Sequence, residues 1–151
     1  MEMAALNISV KQATAGEIRD HLLRCNNSFV PPLTSRVEVA DYSLKLAKKA
    51  VTFEAFAGAE LVGLVAAYFT KENHNEAFIT NVSVIGSYEG TGLATKLMDL
   101  CMEYAKVQKF NSIVLEVSVL NKRAIRFYNK LGFKAGQENN GQISMRFLIS
   151  E

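Results

Sequence analysis

The sequence predicts a mixed α/β fold: a sheet of about seven strands flanked by four helices, in the order β-α-α-β-β-β-α-β-α-β-β. Three observations point to it. Apolar runs follow one another at 51–57, 61–69 and 77–84, the last rich in β-branched residues, separated by short polar turns. A long amphipathic stretch, 91–108, lies between the strand-type runs 77–84 and 113–118, which is the layout of a right-handed parallel crossover. With 151 residues, 49% apolar and 21% charged, the chain is sized for one domain, residues 1–151, around a single core.

Each element has a local reason. Residues 8–12 form a short strand. Thr14 is an N-cap with Glu17 three residues on, and the helix it starts runs past His21 and Leu23 to about Asn26. Pro31-Pro32 keeps 28–35 out of a helix. A second helix covers 39–50, with Tyr42, Leu44, Leu46 and Ala47 as its apolar contributors. Gly58-Ala59-Glu60 turns a hairpin, and 71–75 is a longer polar turn with His74 at the surface. The 91–108 helix shows Leu93, Leu97, Leu100, Cys101 and Tyr104 on one face. The helix 122–131 ends at Gly132. Runs 133–138 and 143–149 make a last hairpin around Asn139-Asn140-Gly141.

Composition excludes several function classes. Lys plus Arg is 17 against 15 Asp plus Glu, a net charge of +2, too small to mark a nucleic-acid binder. No apolar run reaches the roughly 18 residues that span a bilayer, and 1–10 has no basic region followed by an apolar core, so neither membrane nor secretion is expected and the cytoplasm is the default. Cys25 and Cys101 with two histidines give no metal-ligand spacing, so no metal is expected and both thiols read as buried helical filler, as do Met98 and Met102.

The chemistry begins at Glu89-Gly90-Thr91-Gly92-Leu93-Ala94, between a strand and a helix. Glycines let backbone N–H groups approach a ligand, and the helix behind adds a positive dipole end, together a phosphate site. A P-loop would need Gly-Lys-Ser/Thr, which is absent. A dinucleotide fingerprint starting at Gly90 fails at its third glycine, where Thr95 stands, and only 35 residues follow Glu116.

The stretch from Val84 to Ala94 resembles the acetyl-CoA pyrophosphate motif of the GNAT superfamily of N-acetyltransferases, Gln/Arg-x-x-Gly-x-Gly/Ala. Downstream, the run from Asn121 to Phe133 is similar to the family's N-x-x-A-x-x-x-Y-x-K-x-G-F, with Asn121, Ala124, Tyr128, Gly132 and Phe133 at the family spacing. The resemblance covers about 50–150; the first 50 residues match in element order. It implies acetyl-CoA as cosubstrate, held by Val82, Val84, Glu89, Gly90, Thr91, Gly92, Leu93, Ala94, Thr95, Asn121 and Tyr128. It also implies a strand at 77–84 that splays from the 113–118 strand to admit it. The family's Gln or Arg is Glu89 here, and a carboxylate beside a pyrophosphate is repelled by roughly a kcal/mol or more.

Acetyl transfer from a thioester to an amine needs a base for the ammonium, donors for the oxyanion and an acid for the thiolate. Tyr128 matches the position that protonates the thiolate, and a phenol with pKa near 10 suits that task. Asn121 matches a pantetheine-binding position and is equally a natural N-cap. Glu116 shares one strand face with Val114 and Ser118, and Leu115-Glu116-Val117 resembles the ribosomal-protein N-terminal acetyltransferases, where that Glu is the base. Partial burial is expected to suit Glu116 to that role.

On the acceptor side the resemblance points to 29–36, Tyr42 and 139–142, with Phe29, Arg36, Tyr42 and Asn81 as candidate substrate contacts. Arg36 and the hydroxyls of Thr34 and Ser35 fit an anionic or sugar-like acceptor, and 29–34 loosely resembles acetyltransferases among polysaccharide-biosynthesis proteins. The expected activity is therefore acetylation of a small-molecule primary amine, an amino sugar or amino acid, by direct attack. The alternatives are a protein N-terminal acetyltransferase and a non-catalytic acyl-CoA-binding domain. Proteins of this architecture often pair through sheet edges or the last hairpin, so a homodimer through the apolar run 143–149 is a further expectation.

Overall fold

The computed structural model describes residues 5–149 except 71, 73 and 74. His74 and part of the 71–75 turn thus lie outside the described residues. The strands are β1 (Leu6–Val10), β2 (Val51–Ala57), β3 (Glu60–Thr70), β4 (Glu76–Val84), β5 (Ser112–Ser118), β6 (Lys134–Asn139) and β7 (Gln142–Leu148). The helices are α1 (Ala15–Arg24), α2 (Val39–Lys49), α3 (Leu93–Val107) and α4 (Lys122–Leu131). All seven strands join one sheet in the order β1-β2-β3-β4-β5-β7-β6, antiparallel except for β4 beside β5.

The predicted element order holds, with local differences. β1 starts two residues before the expected strand and stops before Lys11, whose φ of 60° ends an extended run. Proline blocks an α-helix at 28–35, yet Leu33–Ser35 and Asn26–Ser28 each wind a single 3₁₀ turn, which needs only three residues. β7 is inserted between β5 and β6, so both its backbone edges are already paired. The expected pairing of copies through 143–149 cannot use that strand as a sheet edge; β6, exposed along its whole length, is the edge.

Both faces of the central strands are covered, which is why they read as continuous apolar runs. Along β3, Leu61, Leu64 and Ala66 pack under α1 and α2, against Ile18, Leu22 and Leu46. Val62, Val65 and Ala67 pack against Leu97, Met98, Cys101 and Ala105 of α3. α3 comes so close that a Cβ on Gly63 would sit 2.9 Å from Leu93 Cδ2 and 3.0 Å from Leu97 Cδ1. The capping box expected at Thr14 and Glu17 is formed. Among the described residues one acidic side chain is fully buried: Glu54 accepts from the amides of Gln12 and Ala13 and from the hydroxyls of Ser9 and Thr52, which offsets its desolvation and fixes the β1–α1 turn. Among the described residues no helix is long and apolar enough to cross a membrane, and no cluster of metal-ligating side chains occurs.

The feature that positions the site is the parallel seam. β4 and β5 share only three register pairs, Glu76↔Ser112, Ala77↔Ile113 and Phe78↔Val114. Arg146 of β7 pins that end by an ion pair with Glu76 and a hydrogen bond to Ser112 Oγ. Beyond Phe78 the strands part. The register jumps from Ala67↔Ile79 to Ala66↔Asn81, so Thr80 is a bulged residue, and a bulge bends its strand. The hydroxyl of Tyr42 on α2 donates to the Thr80 carbonyl at 3.0 Å and lies 2.8 Å from Thr80 Oγ1, holding the bulge in place.

Candidate functional site

The gap between β4 and β5 opens into two cavities that meet. The larger, about 400 Å³, runs from Val82, Ser83 and Val84 past the glycine loop to α4. The smaller, about 150 Å³, lies between Ile79–Val82 and Leu115–Ser118. Phe29, Val82, Asn121, Ala124 and Tyr128 line both, so Tyr128 stands where they join.

The larger cavity fits an extended anionic ligand. Glu89, Gly90, Gly92, Leu93, Ala94 and Thr95 line its mouth. Gly90 and Gly92 have φ of +78° and +85°, with open space where a Cβ would stand, so the loop bends toward the cavity at positions glycine alone occupies freely. The first amide of α3 to find a carbonyl one turn earlier is Lys96, bonded to Gly92 O. The amides of Leu93, Ala94 and Thr95 are therefore left for a ligand, at the positive end of the helix. Val82 and Val84, from the splayed part of β4, form the floor. Thr91 is placed in the loop, its hydroxyl bonded to Tyr88 O, and is not among the cavity-lining residues.

Glu89 does not face the cavity alone. Arg123, on the first turn of α4, lies 3.6 Å from its carboxylate and lines the same cavity. Sequence reasoning passed over Arg123. The signal was there: Lys122 and Arg123 open a helix at the end where cations are disfavoured.

Tyr128 is buried, and burial pushes its phenol pKa above the ordinary value, which keeps the proton on the oxygen. Asn121 forms the cap expected of it, its side chain accepting from Ala124 N–H at 3.2 Å, and the residue lines both cavities. Glu116 corrects an expectation. It is the one exposed residue of β5, not a partly buried one, although Val114 and Ser118 on the same strand face are buried. It lines the smaller cavity with Asn81, Arg36 and Tyr128.

The expected acceptor contacts divide. Phe29, Arg36 and Asn81 line the smaller cavity, as do Ser118 and Gln142. Tyr42 does not; its hydroxyl is taken up by the Thr80 bulge, behind the wall. Ser35 Oγ bonds Pro32 O and the Thr34 amide bonds Asn26, so these residues shape their own turn. Cys25 and Cys101 are buried and unpaired, with burial raising their pKa values to about 11 and about 12, as filler thiols should be. His21 was read only as part of a helix; it proves to be buried, with its pKa lowered to about 4 chiefly by desolvation.

Comparison with known proteins shows what the chain resembles. The sequence profile of the acetyltransferase (GNAT) family matches residues 16–133. N-acetyltransferase 8F1 of Mus musculus is 33% identical over 87 residues, 55% of this chain and 39% of that protein. N-acetylaspartate synthetase of Xenopus tropicalis is 35% identical over 75 residues, 50% of this chain and 27% of that protein. The match thus spans about two fifths or less of these relatives' length. Among solved structures, the ribosomal-protein-S18-alanine N-acetyltransferase from Escherichia coli superposes with a TM-score of 0.76 at 18% identity, covering 97% of this chain and 96% of that one. The PaiA N-acetyltransferase from Thermoplasma acidophilum, solved in complex with coenzyme A, gives 0.75 at 14% identity, covering 94% and 99%. At such identities the likeness is one of fold.

Proposed function

The chain belongs to the acetyltransferase (GNAT) family, and we propose that it moves the acetyl group of acetyl-CoA onto the primary amine of a small molecule, an amino sugar or an amino acid. The observation that carries this reading is the meeting of the two cavities at Tyr128. One has the length, open glycine loop and free helix amides that suit a pyrophosphate and its pantetheine arm. The other is small and polar, with a carboxylate and a guanidinium on its wall. The unpaired, buried thiols suit a reducing compartment such as the cytoplasm.

Acetyl-CoA supplies an activated thioester; the rest falls to side chains. Glu116, open to the acceptor cavity, takes a proton from the ammonium and frees its lone pair for attack on the acetyl carbon. The side of β4 that faces β5 has no register partner beyond Phe78, so its amides are available to the carbonyl oxygen as negative charge builds there. As the carbon–sulfur bond breaks, the Tyr128 phenol gives its proton to the sulfur. Asn121 and the loop amides hold the donor in line.

The test is thiol release from acetyl-CoA with amino sugars, amino acids and short peptides as acceptors, for wild type, Glu116→Gln and Tyr128→Phe. Turnover of a small amine that falls about a hundredfold or more in each variant is expected. Turnover of peptides alone would replace this reading with protein N-terminal acetylation. Acetyl-CoA binding without any turnover would leave a non-catalytic acyl-CoA-binding domain.

A further inference from the structure

The smaller cavity carries two charges of opposite sign that do not neutralise each other. Among the described residues that line it, Arg36 and Glu116 are the charged ones. They come from distant parts of the chain, Glu116 from β5 and Arg36 from the turn that leads into α2. Both are exposed, and among the described residues neither forms an ion pair, with the other or with anything else. The two charges therefore face a shared space.

Arg36 is held at that space by its backbone. Leu33, 2% exposed, anchors the 3₁₀ turn Leu33–Ser35 in the core cluster with Ile18, Leu22 and Leu46. The amides of Arg36 and Val37 both bond the Leu33 carbonyl, at 2.9 and 3.1 Å. The acid nearest in sequence, Glu38, is engaged elsewhere: its carboxylate accepts from the Asp41 N–H and caps α2. The same turn decides between an amino sugar and an amino acid. Thr34 and Ser35, whose hydroxyls suited a sugar, do not line the cavity, and Ser35 Oγ donates to Pro32 O. What the turn presents to the cavity is a guanidinium, which donates through a flat fork of N–H groups, accepts nothing and matches a carboxylate. An amino sugar brings an ammonium and hydroxyls, so the guanidinium would meet no counter-charge and a cation of its own sign. An amino acid brings one anion and one cation, one for each wall.

We propose that the acceptor is a free amino acid, bound with its carboxylate on Arg36 and its ammonium at Glu116. The inference rests on the smaller cavity being the acceptor site of the transferase proposed above. Two unlike charge contacts fix which end of a small molecule points where, and they put the nitrogen on the wall that carries the base. The nitrogen–carbon bond forms and the carbon–sulfur bond breaks. Of the two protons the nitrogen gives up, one passes by way of Glu116 to solvent, and the other replaces the proton that Tyr128 lends to the sulfur. Acetylation turns the ammonium into a neutral amide, so the product keeps only the contact to Arg36 and binds less well than the substrate.

Thiol release from acetyl-CoA tests it, with the full chain and a panel of free amino acids whose amine is α, β or γ to the carboxylate. The best of them is compared with its own carboxamide, which keeps the shape and loses the negative charge, and with glucosamine. The amine of the carboxamide is less basic and gives up its proton more readily, so a preference for the acid is measured against that bias. In wild type, kcat/KM is expected to be about ten- to a hundredfold higher for the acid than for its amide, the worth of a hydrogen bond to a charged group. In Arg36→Gln the acid-to-amide ratio should fall close to one, a change that a merely structural role of Arg36 would not produce. A ratio near one in wild type overturns the proposal without any variant, and so does a ratio that Arg36→Gln leaves unchanged. Turnover of glucosamine or simple amines in preference to every amino acid overturns it and leaves the transferase reading standing. Absence of turnover of any small amine removes both.

Discussion

Lowering the pH should weaken this fold through one residue before most others. His21 is buried, and its folded pKa of about 4 lies below the ordinary 6.5. Desolvation is the main cause and the Arg24 guanidinium adds to it, while the hydrogen bonds with Leu61 and Ser83 oppose it. Around the ring stand Arg24 and Cys25 from its own chain segment, Leu61 of β3 and Ser83 of β4; the charge of Arg24 is itself paired with Glu60. Between pH 6.5 and about 4 the unfolded chain binds a proton that the folded chain refuses, so stability falls as pH falls through that window. At about 1.4 kcal/mol per pH unit the gap amounts to roughly 3 kcal/mol. That is a large part of the 5–15 kcal/mol that holds a typical domain together, to order of magnitude about a third. Urea midpoints of wild type and His21→Gln, taken at intervals from pH 7.5 to 4, isolate it, since carboxylate protonation is common to both chains. The wild-type curve should fall more steeply below pH 6.5. Parallel curves would refute the reasoning. So would an NMR titration of the His21 ring in the intact chain with its midpoint near 6.5, a reading that needs no variant at this position.

Other perturbations probe other parts of the structure. Glu89→Arg removes the carboxylate at the loop and the pair it makes with Arg123; acetyl-CoA should bind about three- to tenfold tighter by titration calorimetry, with the gain shrinking as salt rises. Tyr128→Phe keeps the packing and deletes the proton donor, so kcat should drop about a hundredfold while the Kd for acetyl-CoA stays within about twofold. Gly63→Val drives a side chain into Leu93 and Leu97; the urea midpoint should fall by the equivalent of about 1–3 kcal/mol, with α3 losing protection first.

What the sequence disclosed was what local chemistry decides. The Thr14 cap, the glycines at 90 and 92 and the run from Asn121 to Phe133 each act within a turn or two of chain, so their spacing was readable. What stayed hidden depends on a partner strand. The bulge at Thr80 exists only in register with Ala66 and Ala67 of β3. Alternation along β5 groups Glu116 with Val114 and Ser118, yet those two are buried and Glu116 is exposed, a difference the alternation does not contain. Chain order could not place β7 inside the sheet, since a hairpin can dock by either strand. His21 sat in plain view at the second position of the stripe Ile18, His21, Leu22, Cys25, all buried. A polar ring on an apolar stripe signals that something across the interface bonds it, though not what.

The short seam between β4 and β5 has a consequence for observing the protein at all. With three register pairs and the Arg146–Glu76 clamp at one end, the sheet behaves as two leaves joined at a spine. Amides of β4 past Phe78 that look across the opening have no ladder partner there, so they should exchange with solvent quickly while their neighbours on the β3 side are protected. Anything that slides between the leaves and bonds those amides will slow them. Deuterium uptake along Ile79 to Val84 is thus a gauge of occupancy, readable for any donor or inhibitor, with no acceptor, no turnover and no label on the ligand.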